Sequence, residues 1–305
     1  MSRMLRIFEN RYREGRNNEL LLENTKWILL LLVISVEEKV GNMSRRGSNA
    51  AVKDGKLVHV SISQIRDFQR CSRLWYSSKV LGIPRPFSKA AEKGVNHHAE
   101  AENYFRGGPI PKNEAFQAAI PGLPLPADDL LIEEPLTNPV LYIEETRFDG
   151  YVDLIQPPRD SGIPHIIDHK YVGSFRYLED PATSLQTLIY GYHATRRWPE
   201  TWEVKLSLHY YLADGSDYKH RTAIVSAERC EEAWNEIVKP TVKRMQTIVK
   251  QGHEEQWTFD QVPDTRGDAC YVYGGCHLME QCGVVPKGRA DREIRAALKM
   301  FDSGT

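Results

Sequence analysis

The sequence predicts an α/β fold: a central mixed β-sheet flanked by helices, with a cysteine-organised segment near the C-terminus. Three observations carry this expectation. Two short apolar runs, residues 150–155 and 163–171, have strand length and each holds an aspartate. Residues 202–212 alternate at period two, and Asp214-Gly215 turns that run back into 220–225 as a hairpin partner. Stretches of helical period, over 180–197 and from Ser226 to about Gln251, lie between and after these strands.

The 305 residues suffice for one large domain or two small ones. We expect an N-terminal extension over 1–55, a main domain over 56–286 with a cysteine cluster at 270–282, and a basic tail over 287–305. Lys+Arg 40 against Asp+Glu 41 leaves a net charge of −1, so any surface that attracts polyanions must be local. The apolar run at 27–33 is too short to cross a bilayer, which needs about 20 residues, and no secretory signal is evident. With five cysteines, an odd count, an intracellular (cytoplasmic) and reducing setting is expected, the cysteines serving as ligands or core residues.

Taken in order, residues 1–50 read either as an amphipathic helix with a linker or as a preface to a start at Met43. Ser61 or Ser63 is the expected N-cap of a helix carrying Ile65, Phe68, Leu74 and Trp75, with Cys71 inside it. The next helix runs from about Ser88 to Phe105. His98 and Glu102 share one face there, with Gly94 one turn earlier, whereas His97 is rotated about 100° away. Residues 107–139, rich in proline and glycine, read as a long loop with at most one short helix, lying over a functional face. A strand follows over 140–148.

In the strand at 163–171, side chains alternate faces, so Asp168 and Lys170 point one way and His169 the other. The Ile166-Ile167 pair suits a strand buried on both sides. An adjacent strand carrying Asp153 would bring two carboxylates to one lysine, a set able to hold a divalent cation. On residues 202–212 the expected inward face is Trp202, Val204, Leu206, Leu208 and Tyr210, opposite Glu203, Lys205, Ser207 and His209. Cys230, early in the following helix, reads as packing. Cys270, Cys276 and Cys282, five residues apart around Gly274-Gly275, point to metal or redox ligation. Without Cys-x-x-Cys knuckles, four thiolates around an iron–sulfur cluster fit better than zinc, with Cys71 the natural fourth ligand.

The ordered set Ser61-x-Ser63, Gly94-x-x-x-His98, Gly150-Tyr-Val-Asp153, Asp168-His-Lys170 and Gln186-x-x-x-Tyr190 resembles the RecB-type branch of the PD-(D/E)XK nucleases. The cysteines resemble those of its iron–sulfur members, which include AddB-type and CRISPR adaptation nucleases, although the first gap departs from their Cys-x-x-Cys start. The resemblance implies a restriction-endonuclease-like core and metal-dependent hydrolysis of DNA, as an exonuclease on single strands or duplex ends in repair, recombination or viral DNA processing. Residue by residue it makes His98, Asp153, Asp168 and the backbone carbonyl of His169 ligands of Mg²⁺ or Mn²⁺. Lys170 becomes the group orienting water, and Gln186 and Tyr190 line the site. It also implies a [4Fe-4S] cluster on Cys71, Cys270, Cys276 and Cys282, with zinc as the other occupant. A helicase or recombination partner would supply the motor, since no Gly-x-x-x-x-Gly-Lys loop is present. A non-catalytic DNA-binding or assembly subunit is the alternative.

Overall fold

A computed structural model describes residues 51–86, 89–159, 162–264, 269–271 and 275–284. The expected N-terminal segment at 1–50, and the basic tail at 287–305, lie outside the described residues. A tight hairpin, β1 (Val52–Lys53) with β2 (Lys56–Leu57), opens the described chain, and Ala51 and Leu57 are buried in the main core. Next comes β3 (His59–Ser61). Ser61 caps α1 (Ile62–Arg70), its hydroxyl accepting from the Gln64 N–H. The single helix expected through Cys71 is broken there: Cys71 is extended (φ −165°), and α2 (Ser72–Lys79) starts afresh.

Helix α3 (Lys89–Phe105) and the short α4 (Glu114–Ala119, capped by Asn113) follow. The stretch expected to be mostly loop then holds a further strand, β4 (Leu131–Pro135). The single strand expected over 140–148 is instead a hairpin, β5 (Leu141–Ile143) with β6 (Thr146–Asp149), because Glu144 turns the chain at φ +54°. Gly150 lets β6 swing from one sheet into β7 (Tyr151–Gln156) of another; a Cβ there would stand 2.9 Å from Leu136. Strand β8 (His165–Val172) carries the Asp-His-Lys run.

Helix α5 (Leu185–Arg197) begins five residues later than the expected Asp180, after a turn over 181–183. Strands β9 (Glu203–Leu212) and β10 (Tyr218–Ser226) form the expected hairpin. Trp202, expected inside, stays out at 84% exposure, while Ser207 and His209 on the supposedly outer face are buried. Both faces of β9 are covered, so alternation of polarity misassigned its outside. Ser226 caps α6 (Ala227–Glu232), which runs through a π-helical turn (Ala233–Val238) into α7 (Lys239–Glu254).

The main sheet is five-stranded and mixed, ordered β10-β9-β8-β7-β4, with only β8 and β9 parallel; β3-β6-β5 form a smaller sheet. One core packs Ile155, Ile166 and Leu206 against Leu188, Ile189 and Trp234 of the α5–α7 side. The other packs Leu154, Ile167 and Tyr211 against Tyr104, Phe105 and Phe116 of α3 and α4. Tyr76, Trp75 and Tyr104, candidate stacking residues by type, are core side chains. Cys230 is fully buried, as a packing residue should be.

Candidate active site

Register brings the centre of the site together. Strand β7 pairs β8 with Leu154 opposite Ile167 and Ile155 opposite Ile166, and Asp153, the next residue beyond that ladder, lies close enough to Asp168 for the two carboxylates to interact. Asp153 Oδ2 accepts the His169 N–H at 2.7 Å. Asp168 is 1% exposed, and its two oxygens are taken separately: Oδ2 lies 2.7 Å from Lys170 Nζ and Oδ1 accepts from Gln186 Nε2 at 2.9 Å. Lys170 in turn donates to Gln186 Oε1 at 2.7 Å, closing a three-residue ring, and Gln186 also donates to the Tyr190 hydroxyl at 3.0 Å. Gln186 and Tyr190 are one helical turn apart on α5, so one helix face supplies both.

From the other side, α3 brings His98 Nδ1 to 3.4 Å from Asp153 Oδ2. A third group joins them from β4. Ligand atoms of His98, Glu133 and Asp153 all lie within 4.8 Å of one another. Glu133 stands at the register position opposite Asp153, where the β4–β7 ladder skips a pair, and its backbone is left-handed (φ +50°). A non-glycine residue in that region costs on the order of 1 kcal/mol or more and persists where its surroundings hold it. Sequence reasoning missed Glu133. Its only signal was the Leu131-Ile132-Glu133-Glu134-Pro135 run inside a proline-rich stretch.

Electrostatics follow from this crowding. Burial, then the neighbouring Asp168 carboxylate, push the Asp153 pKa well above the usual carboxylate range. Burial lowers the His98 pKa despite Asp168 and Glu133, so its imidazole is held neutral with a lone pair to offer. Burial likewise raises the Tyr190 hydroxyl, keeping it a neutral partner for Gln186. The pocket therefore carries more carboxylate than its one lysine offsets. A neutral imidazole with several carboxylate oxygens is a donor set that fits a small divalent cation such as Mg²⁺ or Mn²⁺.

His169 turns the opposite way, as alternation requires. Its Nδ1 pairs with the Tyr211 hydroxyl at 2.9 Å, its ring lies against Phe105, and burial holds it neutral. His97 stacks on Tyr171 with ring centres 4.1 Å apart, so it supports the strand that carries the site.

The cysteines meet elsewhere. Cys71, Cys270, Cys276 and Cys282 line one cavity together with Arg70 and Arg73. The break at Cys71 is held from both ends. Arg70 Nε donates to the Ala269 carbonyl (3.0 Å), the Ser72 hydroxyl to Pro263 (2.6 Å), and buried Arg73 to Val262 (2.9 Å). Arg73 also pairs with Asp264 at 2.8 Å and reaches Cys282 Sγ at 3.9 Å. None of the five cysteines is in a disulfide. Among the described residues, no helix is long and apolar enough to cross a membrane.

The chain is similar to the protein SSO0001 at 15% identity over 68% of this chain and 86% of that one, with a TM-score of 0.38. It is also similar to a protein of Eubacterium rectale carrying a provisional exonuclease designation, at 14% identity over 73% and 92% of the two chains, TM-score 0.43. No curated protein sequence matches it. The family profile of the PD-(D/E)XK nuclease superfamily matches residues 127–283. That span runs from β4 to the last cysteine and takes in Glu133, Asp153, Asp168, Lys170, Gln186 and Tyr190, while His98 and Cys71 precede it. Covering more than half of the chain, and laid over a restriction-endonuclease-like α/β fold, the match makes this protein a member of the PD-(D/E)XK nuclease superfamily.

Proposed function

We propose that the protein is a metal-dependent deoxyribonuclease, an exonuclease acting on single-stranded DNA or duplex ends in repair, recombination or viral DNA processing. The observation that carries this reading is the convergence, within a family-matched chain, of the Asp168–Lys170–Gln186 ring and the His98–Glu133–Asp153 trio. His98, Asp153, Asp168 and the His169 carbonyl, joined by Glu133, would hold Mg²⁺ or Mn²⁺. Such an ion polarises a phosphoryl oxygen and makes water a competent nucleophile near neutral pH.

The chain's own residues do the rest. Lys170, fixed by two short contacts, orients the attacking water and offsets charge gathering on the phosphate. Gln186 keeps the lysine and Asp168 at a constant separation, and Tyr190 holds Gln186. His98, neutral through burial, keeps its ring nitrogen available for ligation. The working unit is the main domain, 56–286, with the motor supplied by a helicase or recombination partner. An intracellular, cytoplasmic setting suits five cysteines that form no disulfide.

A [4Fe-4S] cluster on Cys71, Cys270, Cys276 and Cys282, rather than zinc, belongs to the same proposal. What supports it is the shared cavity and the ties from Val262, Pro263, Asp264 and Ala269 to the α1–α2 junction. Its role would be structural, closing a long loop. Anaerobically purified protein is expected to be brown, with absorbance near about 400 nm that Cys282→Ala diminishes. A colourless protein containing stoichiometric zinc would refute the cluster.

End-labelled single-stranded and duplex DNA, incubated with Mg²⁺ or Mn²⁺, tests the activity. Wild type should shorten the label progressively, while Asp168→Ala and Lys170→Ala should not. Degradation by both variants at the wild-type rate would overturn the assignment.

A further inference from the structure

Strand β8 ends at Val172, two residues past Asp168-His169-Lys170, and the chain then enters a short turn, Phe175–Tyr177. This turn is held at its far side. Arg221 Nη1 donates to the Leu178 carbonyl at 2.9 Å, and the Tyr210 hydroxyl donates to the Glu179 carbonyl at 3.1 Å. Tyr210 is the cross-strand partner of Lys170 on β9, so it shares the lysine's face of the sheet. The turn is thus pinned beside the site. Glu179 is further tied to Arg66 at 2.8 Å and to the Ser184 hydroxyl at 2.5 Å, so its charge is offset.

Just before these anchors the chain presents aromatic rings. Tyr177 is 81% exposed, directly before the anchored Leu178, with the Arg176 guanidinium 5.3 Å from its ring centre. Lys219, from β10, sits 4.8 Å over the Phe175 ring. An exposed large aromatic ring leaves apolar surface in water for which folding supplies no cover. Rings interleaved with cations next to a phosphate-cleaving centre match single-stranded nucleic acid, whose bases stack while its phosphates need positive charge. A duplex offers no unstacked bases to such a platform. Trp202 is equally exposed at 84%, but it precedes Glu203 at the opposite end of β9.

We propose that the Phe175–Tyr177 turn is a stacking platform for single-stranded DNA entering the site, with Tyr177 taking a base and Arg176 and Lys219 the flanking phosphates. The proposal rests on the nuclease reading and adds to it a strand path and a preference for unpaired DNA.

Fluorescence anisotropy of full-length protein with labelled dT20, rU20 and a blunt 20-base-pair duplex, in magnesium-free buffer, tests it apart from cleavage. Tyr177→Ala should weaken dT20 binding about tenfold, Tyr177→Trp should stay within about twofold of wild type, and Trp202→Ala should change nothing. Arg176→Ala should reduce the slope of log affinity against log salt by about 0.7, one phosphate contact on a single strand. Tyr177 is mostly exposed, so an unchanged melting temperature is expected for its variants.

The platform is refuted if Tyr177→Ala binds dT20 like wild type, or if Tyr177→Trp is as weak as Tyr177→Ala. Tighter, Tyr177-dependent binding of rU20 than of dT20 would overturn the assignment to DNA. Should wild type cleave DNA and Asp168→Ala not, while Tyr177→Ala binds normally, only the platform fails. A wild type that neither binds nor cleaves removes both readings.

Discussion

Glu133→Gln is the perturbation that separates a ligand from a structural carboxylate. Its ligand oxygen lies within 4.8 Å of one on Asp153, with Asp168 close enough to raise the Asp153 pKa further. At an effective dielectric of about 20, two unit charges 4.8 Å apart repel by about 3.5 kcal/mol. Partial protonation of Asp153, the attraction Glu133 exerts on His98 and the water that reaches partly exposed Glu133 all reduce this, so removing the charge should change the stability of the metal-free protein by about 1 kcal/mol or less. Glutamine keeps the shape and the same backbone, so it isolates the charge. Urea denaturation in EDTA at pH 8 should therefore separate Glu133→Gln from wild type by no more than about 1 kcal/mol. Mn²⁺ should raise the wild-type melting temperature more than the variant's, since it binds the folded site preferentially. DNA cleavage should fall about 100-fold or more. A variant whose melting temperature Mn²⁺ raises as much as the wild type's, or one that cleaves at the wild-type rate, would refute the assignment of Glu133 to the cation site.

Three further outcomes are expected. Gln186→Leu removes the amide that holds both Asp168 and Lys170 while leaving their direct pair, and with hydrogen bonds to charged groups worth about 1.5–3 kcal/mol, kcat should fall about 10–100-fold. Stopped-flow cleavage at saturating DNA reads this, and an unchanged kcat would show the ring to be incidental. His193, fully buried, has its pKa lowered to about 4 by burial, below the unfolded value of 6.5. The unfolded chain therefore takes up the proton first. Stability is full above pH 6.5, falls as pH drops towards 4 and levels off below, with about 1.4 kcal/mol gone by pH 5.5. His193→Gln should flatten that part of the decline between pH 7.5 and 5.5, and equal slopes in the two proteins would contradict it. Gly252→Ala would set a Cβ 2.1 Å from the hydroxyl of buried Tyr76 and should cost about 1–3 kcal/mol in urea denaturation. An unchanged midpoint would mean that Tyr76 moves aside freely.

Much of the scaffold was legible because its signals are local. Period-two alternation put Asp168 and Lys170 on one face and His169 on the other, and the Tyr211 and Phe105 contacts of His169 agree with that division. Helical spacing set Gln186 and Tyr190 one turn apart, and Ser61 announced the start of α1. Alternation failed on β9. It reports the difference between two faces, and α3 and α4 cover the face that polarity alone assigned to solvent, burying Ser207 and His209.

The sequence by itself determined which side chains each strand and helix could present: the aspartates, the lysine, the histidine and the spacing of the cysteines. Tertiary structure decided which of them meet. Glu133 faces Asp153 only because β4, twenty residues upstream, closes the edge of the main sheet, and no local period records that pairing. Cys71 stands with Cys270, Cys276 and Cys282 only because Arg70, Ser72 and Arg73 draw the distant C-terminal segment onto the α1–α2 break. Local patterns follow from the geometry of one chain segment. Sites such as this one arise from contacts between segments, which packing selects and spacing along the chain does not encode.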